Sequence, residues 1–173
     1  MGDSISKINP ILTMDYIKNS KENQYFDRKS AKVDSKEIAK HLIAFANANG
    51  GLLIIGVEDD GRVTGFSNVG IQKINDFRLI PFEYCKNTPN IEIEEIEITN
   101  YKSSKDWILV YHISPSTKRV IRNTADDVFL RIGDKSKKLT HEQINDLEYD
   151  KGERYFEEEI VDRSSLKDVD SEL

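Results

Sequence analysis

Apolar residues recur at helical spacing between positions 35 and 48, then form a near-continuous run at 52–57. Ile38, Leu42 and Phe45 fall on one face, with Ala39, Ile43 and Ala46 beside it, so this stretch predicts an amphipathic helix. Asp34 stands at the N-cap position with Glu37 three residues on, the pattern of a capping box. Gly50 and Gly51 end the helix, because glycine adopts the left-handed conformation after a helix at little cost. The run LLIIGV at 52–57 does not alternate, which predicts a strand covered on both faces. Asp59-Asp60-Gly61 supplies turn chemistry, and residues 62–66 read as the returning hairpin partner.

Shorter patterns flank this unit. Residues 10–18 predict a helix, with Ile11, Leu12, Met14 and Ile17 as its apolar positions, and 25–29 a first strand. A helix is expected over 71–78. Ile and Glu alternate at 91–99, as in a half-exposed strand, and a polar loop at 100–106 leads to another strand at 107–113. A short last strand is read at 128–132, and Thr140 with Gln143 forms a second capping-box pattern, opening a helix to about 147. No internal repeat is found. Helices and strands alternate early and strands run consecutively in the middle, so the fold class is α+β: one mixed, mostly antiparallel sheet with helices packed on it. Strand order is not legible at this level.

Composition narrows the picture. A chain of 173 residues with 38% hydrophobic and 32% charged residues makes one domain with much solvated surface. The longest apolar runs are about six residues, too short for a membrane span. The first residues lack the basic-then-apolar layout of a signal peptide. Cys85 is the only cysteine, which excludes an intrachain disulfide and a cysteine-cluster zinc site. These features predict a cytoplasmic protein. The net charge of −6 is unevenly placed: residues 1–151 carry 22 Lys and Arg against 23 Asp and Glu, and residues 152–173 carry 3 against 8. The division is therefore a nearly neutral domain at 1–151 and an acidic segment at 152–173. That segment, with the solvated run Glu157 to Glu159, reads as a linker or the start of a downstream region. No basic surplus forces a nucleic-acid partner, but a local basic face is compatible with one.

Four blocks stand out in order: ENQYFDRK at 22–29, AFANANGG at 44–51, IGVEDDG at 55–61 with Gly65, and FLRIGDKS at 129–136. Together they resemble the Schlafen-type AlbA-like domain, the N-terminal nucleic-acid-binding domain of many bacterial transcription-regulator-like proteins. The resemblance runs from about 22 to 147. It departs at Asp27-Arg28-Lys29, where many relatives carry Glu-Phe-Lys, although a carboxylate is kept. The resemblance implies a DNA-binding or RNA-binding module, followed in longer relatives by an ATPase-like or winged-helix region. In nuclease members of the family three carboxylates, at positions matching Glu22, Asp27 and Asp59, form the active site. If this chain is such a metal-dependent ribonuclease, these residues would be both catalytic and metal-binding, holding Mg²⁺ or Mn²⁺ through hard oxygen ligands. The plainer reading of the same residues is a loop glutamate, an Asp27 paired to Arg28 or Lys29, and a hairpin turn at Asp59-Asp60-Gly61.

The basic candidates are two groups. Arg131, Lys135, Lys137 and Lys138 lie within eight residues around Gly133, and Lys118, Arg119 and Arg122 precede the last strand. Beside a sheet they would form a phosphate-binding face, with Arg131 at a strand end as the leading candidate, and such binding requires no cofactor. Few aromatics interleave them; Tyr101, Trp107 and Phe129 are nearest. Gly50-Gly51 ends a helix rather than starting one, so it is no phosphate cradle. His41, His112 and His141 match no zinc spacing, Cys85 reads as a packed thiol, and no nucleophile elbow is present. Three readings result: a nucleic-acid-binding module of a transcriptional regulator, with DNA or RNA as partner; a metal-dependent endoribonuclease; and an architectural module that forms a homodimer.

Overall fold

The computed structural model describes residues 2–152, so the acidic run at 157–159 and the chain beyond it lie outside the described residues. The elements in order are α1 (Met14–Asn19), β1 (Phe26–Lys29), α2 (Ser35–Asn47), β2 (Gly51–Ile55), α3 (Lys73–Glu83), β3 (Ile91–Thr99), β4 (Lys105–Ile113), β5 (Phe129–Ile132), β6 (Lys135–Lys138) and α4 (His141–Asp150). Four strands form one sheet in the order β1-β2-β4-β3. Strands β1 and β2 are parallel, with Asp27 opposite Leu53, and α2 makes the crossover between them. The other pairs are antiparallel. The sheet is thus mixed and mostly antiparallel, as the pattern predicts, and a separate β5–β6 hairpin is added to it.

Strand β2 is buried on both faces because each face has its own cover. Leu53 and Ile55 pack with Ile38, Leu42 and Phe45 of α2 and Phe77 of α3. Ile54 faces the other way, with Leu12, Ile17, Phe26, Ile108 and Val110. A satellite cluster of Val120, Val128, Leu139 and Ile144 seats α4 against the segment around β5. Fully burying an aliphatic or aromatic side chain of this size contributes roughly 1.5–3 kcal/mol. The double glycine does what its place after α2 suggests and more. Gly50 takes a φ of +73° and donates to the Phe45 carbonyl at 2.9 Å. A Cβ there would collide with the Ile113 carbonyl oxygen, so the glycine also lets the end of β4 approach the helix stop.

Several expectations are corrected. The Asp34 side chain caps α2 by accepting from the Lys36 N–H, but Glu37 does not return the bond, because it is drawn to Lys40 at 2.7 Å. The box at Thr140 and Gln143 closes in both directions. Residues 62–66 make only one bridge, Val57 to Val63, instead of a hairpin strand. The chain turns away at Gly65 (φ +63°), where the buried Asp106 carboxylate accepts from the Phe66 and Ser67 N–H groups at 2.9 and 3.1 Å. Helix α3 runs on to Glu83 through Pro81. Pro81 has no N–H for the Phe77 carbonyl, and the buried Tyr111 hydroxyl donates to that oxygen instead, at 2.6 Å. The basic stretch at 135–138, beyond the last strand expected at 128–132, is itself a strand, β6, joined to β5 by Gly133-Asp134, a two-residue hairpin signal.

Candidate functional site

Strand β1 sends alternate side chains to opposite faces. Phe26 and Arg28 face α1: Phe26 meets Tyr16 edge-on, and the Arg28 guanidinium donates to the carbonyls of Ile17 and Ser20 at 2.7 and 2.8 Å and of Asp59 at 3.1 Å. Asp27 faces α2 and meets Arg131 there, Nη1 to Oδ2 2.8 Å, with both side chains essentially inaccessible. Each nitrogen of this guanidinium is directed at an acceptor. Nη1 serves Asp27 and the Ser136 hydroxyl (3.1 Å), Nη2 the carbonyls of Asn23 and Phe26, and Nε again Asn23. Its face lies 4.5 Å from the Phe45 ring centre. Arg131, expected on a phosphate-binding face, is therefore internal. Its charge is spent on Asp27, and its donors hold β5 to β1.

The same cluster includes His41 on α2. Burial, the largest effect, lowers its pKa to about 4, with Lys29 and Lys40 adding to this against Asp27 and Glu37, so at neutral pH the ring is uncharged. Its Nε2 lies 3.2 Å from the Glu37 carboxylate and its Nδ1 2.7 Å from Ser136 Oγ. A carboxylate can only accept, which assigns the proton to Nε2 and leaves Nδ1 to accept from Ser136. The donors then run in one direction, from Arg131 to Ser136 to His41 to Glu37. Ser136 pairs with Arg131 across the hairpin, so both point inward from the same register position. Asn47, at the end of α2, completes the docking: its amide donates to the carbonyls of Ile121 and Phe129 and accepts from the Ile121 N–H. Gln24 adds bonds to the Arg131 carbonyl and the Gly133 N–H. Ser136, Asn47 and Gln24 lie inside the blocks that carry the family resemblance, but their local pattern does not mark these roles, which single polar residues take only when the fold brings them together.

The three candidate carboxylates share one neighbourhood without forming a metal site. Burial first, then the Asp27 charge, and finally that of Asp59 raise the Glu22 pKa to about 7, against the pull of Lys29. One Glu22 oxygen, Oε1, is buried with no hydrogen-bond partner among the described residues. Asp59 is exposed at its turn, and its carbonyl receives Arg28. A Mg²⁺ or Mn²⁺ ion needs ionised oxygens free to coordinate. Both Asp27 oxygens are already engaged: one binds Arg131, and the other accepts the Arg28 N–H at 2.8 Å, with Lys29 at 3.5 Å. Among the described residues no group of three or more His, Cys, Asp or Glu side chains is placed to hold a metal ion. As arranged, one of the three carboxylates is tied to Arg131, one is held towards its protonated form and one is exposed at a turn.

The remaining cations divide by commitment. Ser136 faces inward, so Lys135 and Lys137 project from the opposite face of β6 and are exposed. Lys138 pairs with Asp127 at 3.2 Å. Arg122 is half-buried and bound to Glu148 of α4. Lys118 and Arg119 are exposed on the loop that Asn47 ties to β5 through Ile121. Four predicted cations thus face solvent on linked elements, two are held in side-chain pairs, and Arg131 is interior. Among the described residues no helix is long and apolar enough to cross a membrane.

Comparison with known proteins bears on this arrangement. The family model described as Schlafen, AlbA_2 matches residues 22–140. No curated protein matches the chain. Among solved structures, the chain is similar to the DIP2311 protein from Corynebacterium diphtheriae, with 19% identity and a TM-score of 0.47. That likeness covers 67% of this chain and 22% of the other, so the chain spans about a fifth of that relative's length. The matched span contains all four sequence blocks and the Asp27–Arg131 pair, and the chain belongs to the Schlafen AlbA_2 family, a membership that supports a nucleic-acid-related function.

Proposed function

We propose that this chain is a nucleic-acid-binding module of a transcription-regulator-like protein, which contacts DNA or RNA phosphates through the outer face of the β5–β6 hairpin. The observation that carries this reading is the division of the hairpin into two faces. The inner face, Arg131 and Ser136, is bound to β1 and α2, and the outer face presents Lys135 and Lys137 to solvent, with Lys118 and Arg119 on the adjoining loop. The docked strand fixes the backbone that carries Lys135 and Lys137, so only side-chain freedom is lost when a phosphate arrives. Binding of this kind needs no cofactor. The homodimer reading gains nothing from the sheet's open edge, because β3 exposes Glu92, Glu95 and Glu97, and charge on an edge strand discourages edge-to-edge pairing.

Fluorescence anisotropy with labelled duplex DNA and structured RNA, titrated over a range of salt, tests the proposal. Affinity should fall steeply with salt, by release of condensed counterions. The Lys135→Ala/Lys137→Ala double variant should bind more weakly and flatten the log–log salt slope on B-DNA by roughly 2, about 0.9 for each phosphate no longer neutralised. Undetectable binding at low salt, or a double variant with unchanged affinity and slope, would sink the proposal.

A further inference from the structure

A groove of about 750 Å³ lies between the end of α1, the turn at 60–63 and the β3–β4 connection. Val63 and Ile98 form an apolar floor, and Asn19 and Thr99 add hydrogen-bonding groups. On its rim Tyr101 is 46% exposed, on a firmly held backbone. Its N–H donates to the Val63 carbonyl at 2.9 Å. The preceding Asn100 accepts from the Lys102 and Ser104 N–H groups at 2.9 and 3.1 Å and donates to the buried Asp106 at 2.9 Å. The ring is thus presented on a braced turn, with little backbone freedom left to lose on binding.

Cations converge on this ring. The Arg62 guanidinium lies over the ring, 5.0 Å from its centre, and the Lys102 ammonium over it at 5.6 Å, and Lys18 also lines the groove. Among the described residues Arg62, Lys102 and Lys18 form no ion pair, in contrast to Arg122, Arg131 and Lys138. Of the two acidic side chains on the wall, Asp60 accepts the Arg62 backbone N–H at 2.9 Å and keeps its charge, and Glu97 pairs with Lys105 at 3.4 Å. The groove is also linked to the hairpin. Lys18 and Asn19 line it, and five residues after Asn19 the chain reaches Gln24, which binds the Arg131 carbonyl and the Gly133 N–H. Six residues span at most roughly 20 Å, so one strand of a few nucleotides covers the distance.

We propose that this groove is a second contact surface for single-stranded nucleic acid, in which Tyr101 stacks on an unpaired base and Arg62, Lys102 and Lys18 meet the flanking phosphates. An aromatic platform beside free cations is the combination that single strands use and duplexes cannot, since paired bases keep their faces stacked within the helix. The inference rests on the nucleic-acid reading above and deepens it by naming the form of the partner.

The test uses the full chain with a labelled mixed-sequence oligonucleotide, single-stranded and as its duplex, at low salt. Tyr101→Ala should weaken single-strand binding by roughly 5- to 150-fold, the loss of one base stack, and leave duplex binding within about twofold. Tyr101→Trp should restore it, and Arg62→Gln, which keeps the ring, should weaken the single strand through charge alone. An unchanged single-strand affinity in Tyr101→Ala, an equal loss on duplex, or no rescue by tryptophan would each overturn the inference. So would a poly-glutamate peptide that competes as well as the oligonucleotide. If Tyr101→Ala is silent and Lys135→Ala/Lys137→Ala weakens both forms, the groove fails and the hairpin reading stands. If the unaltered chain binds neither form, both fail.

Discussion

Glu22 shows how strongly position decides the chemistry of one side chain. In the sequence it is a loop glutamate beside a lysine; in the fold it is half-buried near Asp27 and Asp59, with its pKa pushed up to about 7. The folded chain therefore holds this proton more tightly than the unfolded chain does. With the pKa raised on folding, the Glu22 contribution is fully present below the unfolded value, near 4.5, and is lost as pH rises through 7. Glu22→Gln mimics the protonated form. It should be more stable than the unaltered chain at about pH 8 by on the order of 1–2 kcal/mol, a figure discounted because part of the carboxyl faces solvent, and the advantage should shrink towards pH 5. Urea unfolding at the two pH values measures this, and an advantage that does not grow with pH would contradict the assignment. Arg131 gives the complementary case. Basic and at a strand end, it is the leading phosphate-binding candidate in the sequence, yet strand alternation turns it inward, opposite Ser136, onto Asp27.

At the scale of elements, hydrophobic periodicity locates α2, β2, β3 and β4 closely, because each buries a regular face. It misjudges α3, whose end is decided by a residue far away in the chain. The Tyr111 hydroxyl takes the Phe77 carbonyl that Pro81 leaves without a donor. Tyr111→Phe should leave that carbonyl buried and unsatisfied, at a cost of about 1–3 kcal/mol. Denaturant unfolding should show a lower midpoint at an unchanged m-value; a midpoint equal to that of the unaltered chain would mean the oxygen finds another donor. Strand β6 escapes periodicity for a different reason. Lys135, Lys137 and Lys138 look like loop composition, and only Gly133-Asp134 between two short runs signals a hairpin.

At the scale of the whole molecule, the Asp27–Arg131 pair links the sheet to the hairpin that carries the proposed phosphate contacts. Breaking a buried pair by removing one partner costs about 3–5 kcal/mol, because the other charge stays buried and uncompensated. Asp27→Asn keeps an oxygen to accept the Arg28 N–H and removes the charge. It should lower the melting temperature and speed amide exchange in β5 and β6 more than in β2 and β4. Exchange that rises evenly across both sheets, or not at all, would show that the pair does not set the docking of the hairpin. The same pairing ties up one of the three carboxylates gathered in this neighbourhood, since Arg131 already neutralises Asp27.

The α+β class, the mixed sheet, the double-glycine stop, the two-sided burial of β2 and the family blocks are all legible along the chain. They depend on local spacing: 3.6-residue and two-residue periods, caps and turn residues, each readable from its neighbours. Which charges are free is settled only when the chain is folded. Asp27 and Arg131 stand 104 residues apart in the chain and meet at 2.8 Å, whereas Arg62 and Lys102 lie over the Tyr101 ring and Lys18, from another segment, lines the same groove. A side chain's charge is written in the sequence, but whether that charge is spent on an internal partner or left for a ligand depends on the meeting of distant segments, which local periodicity does not encode.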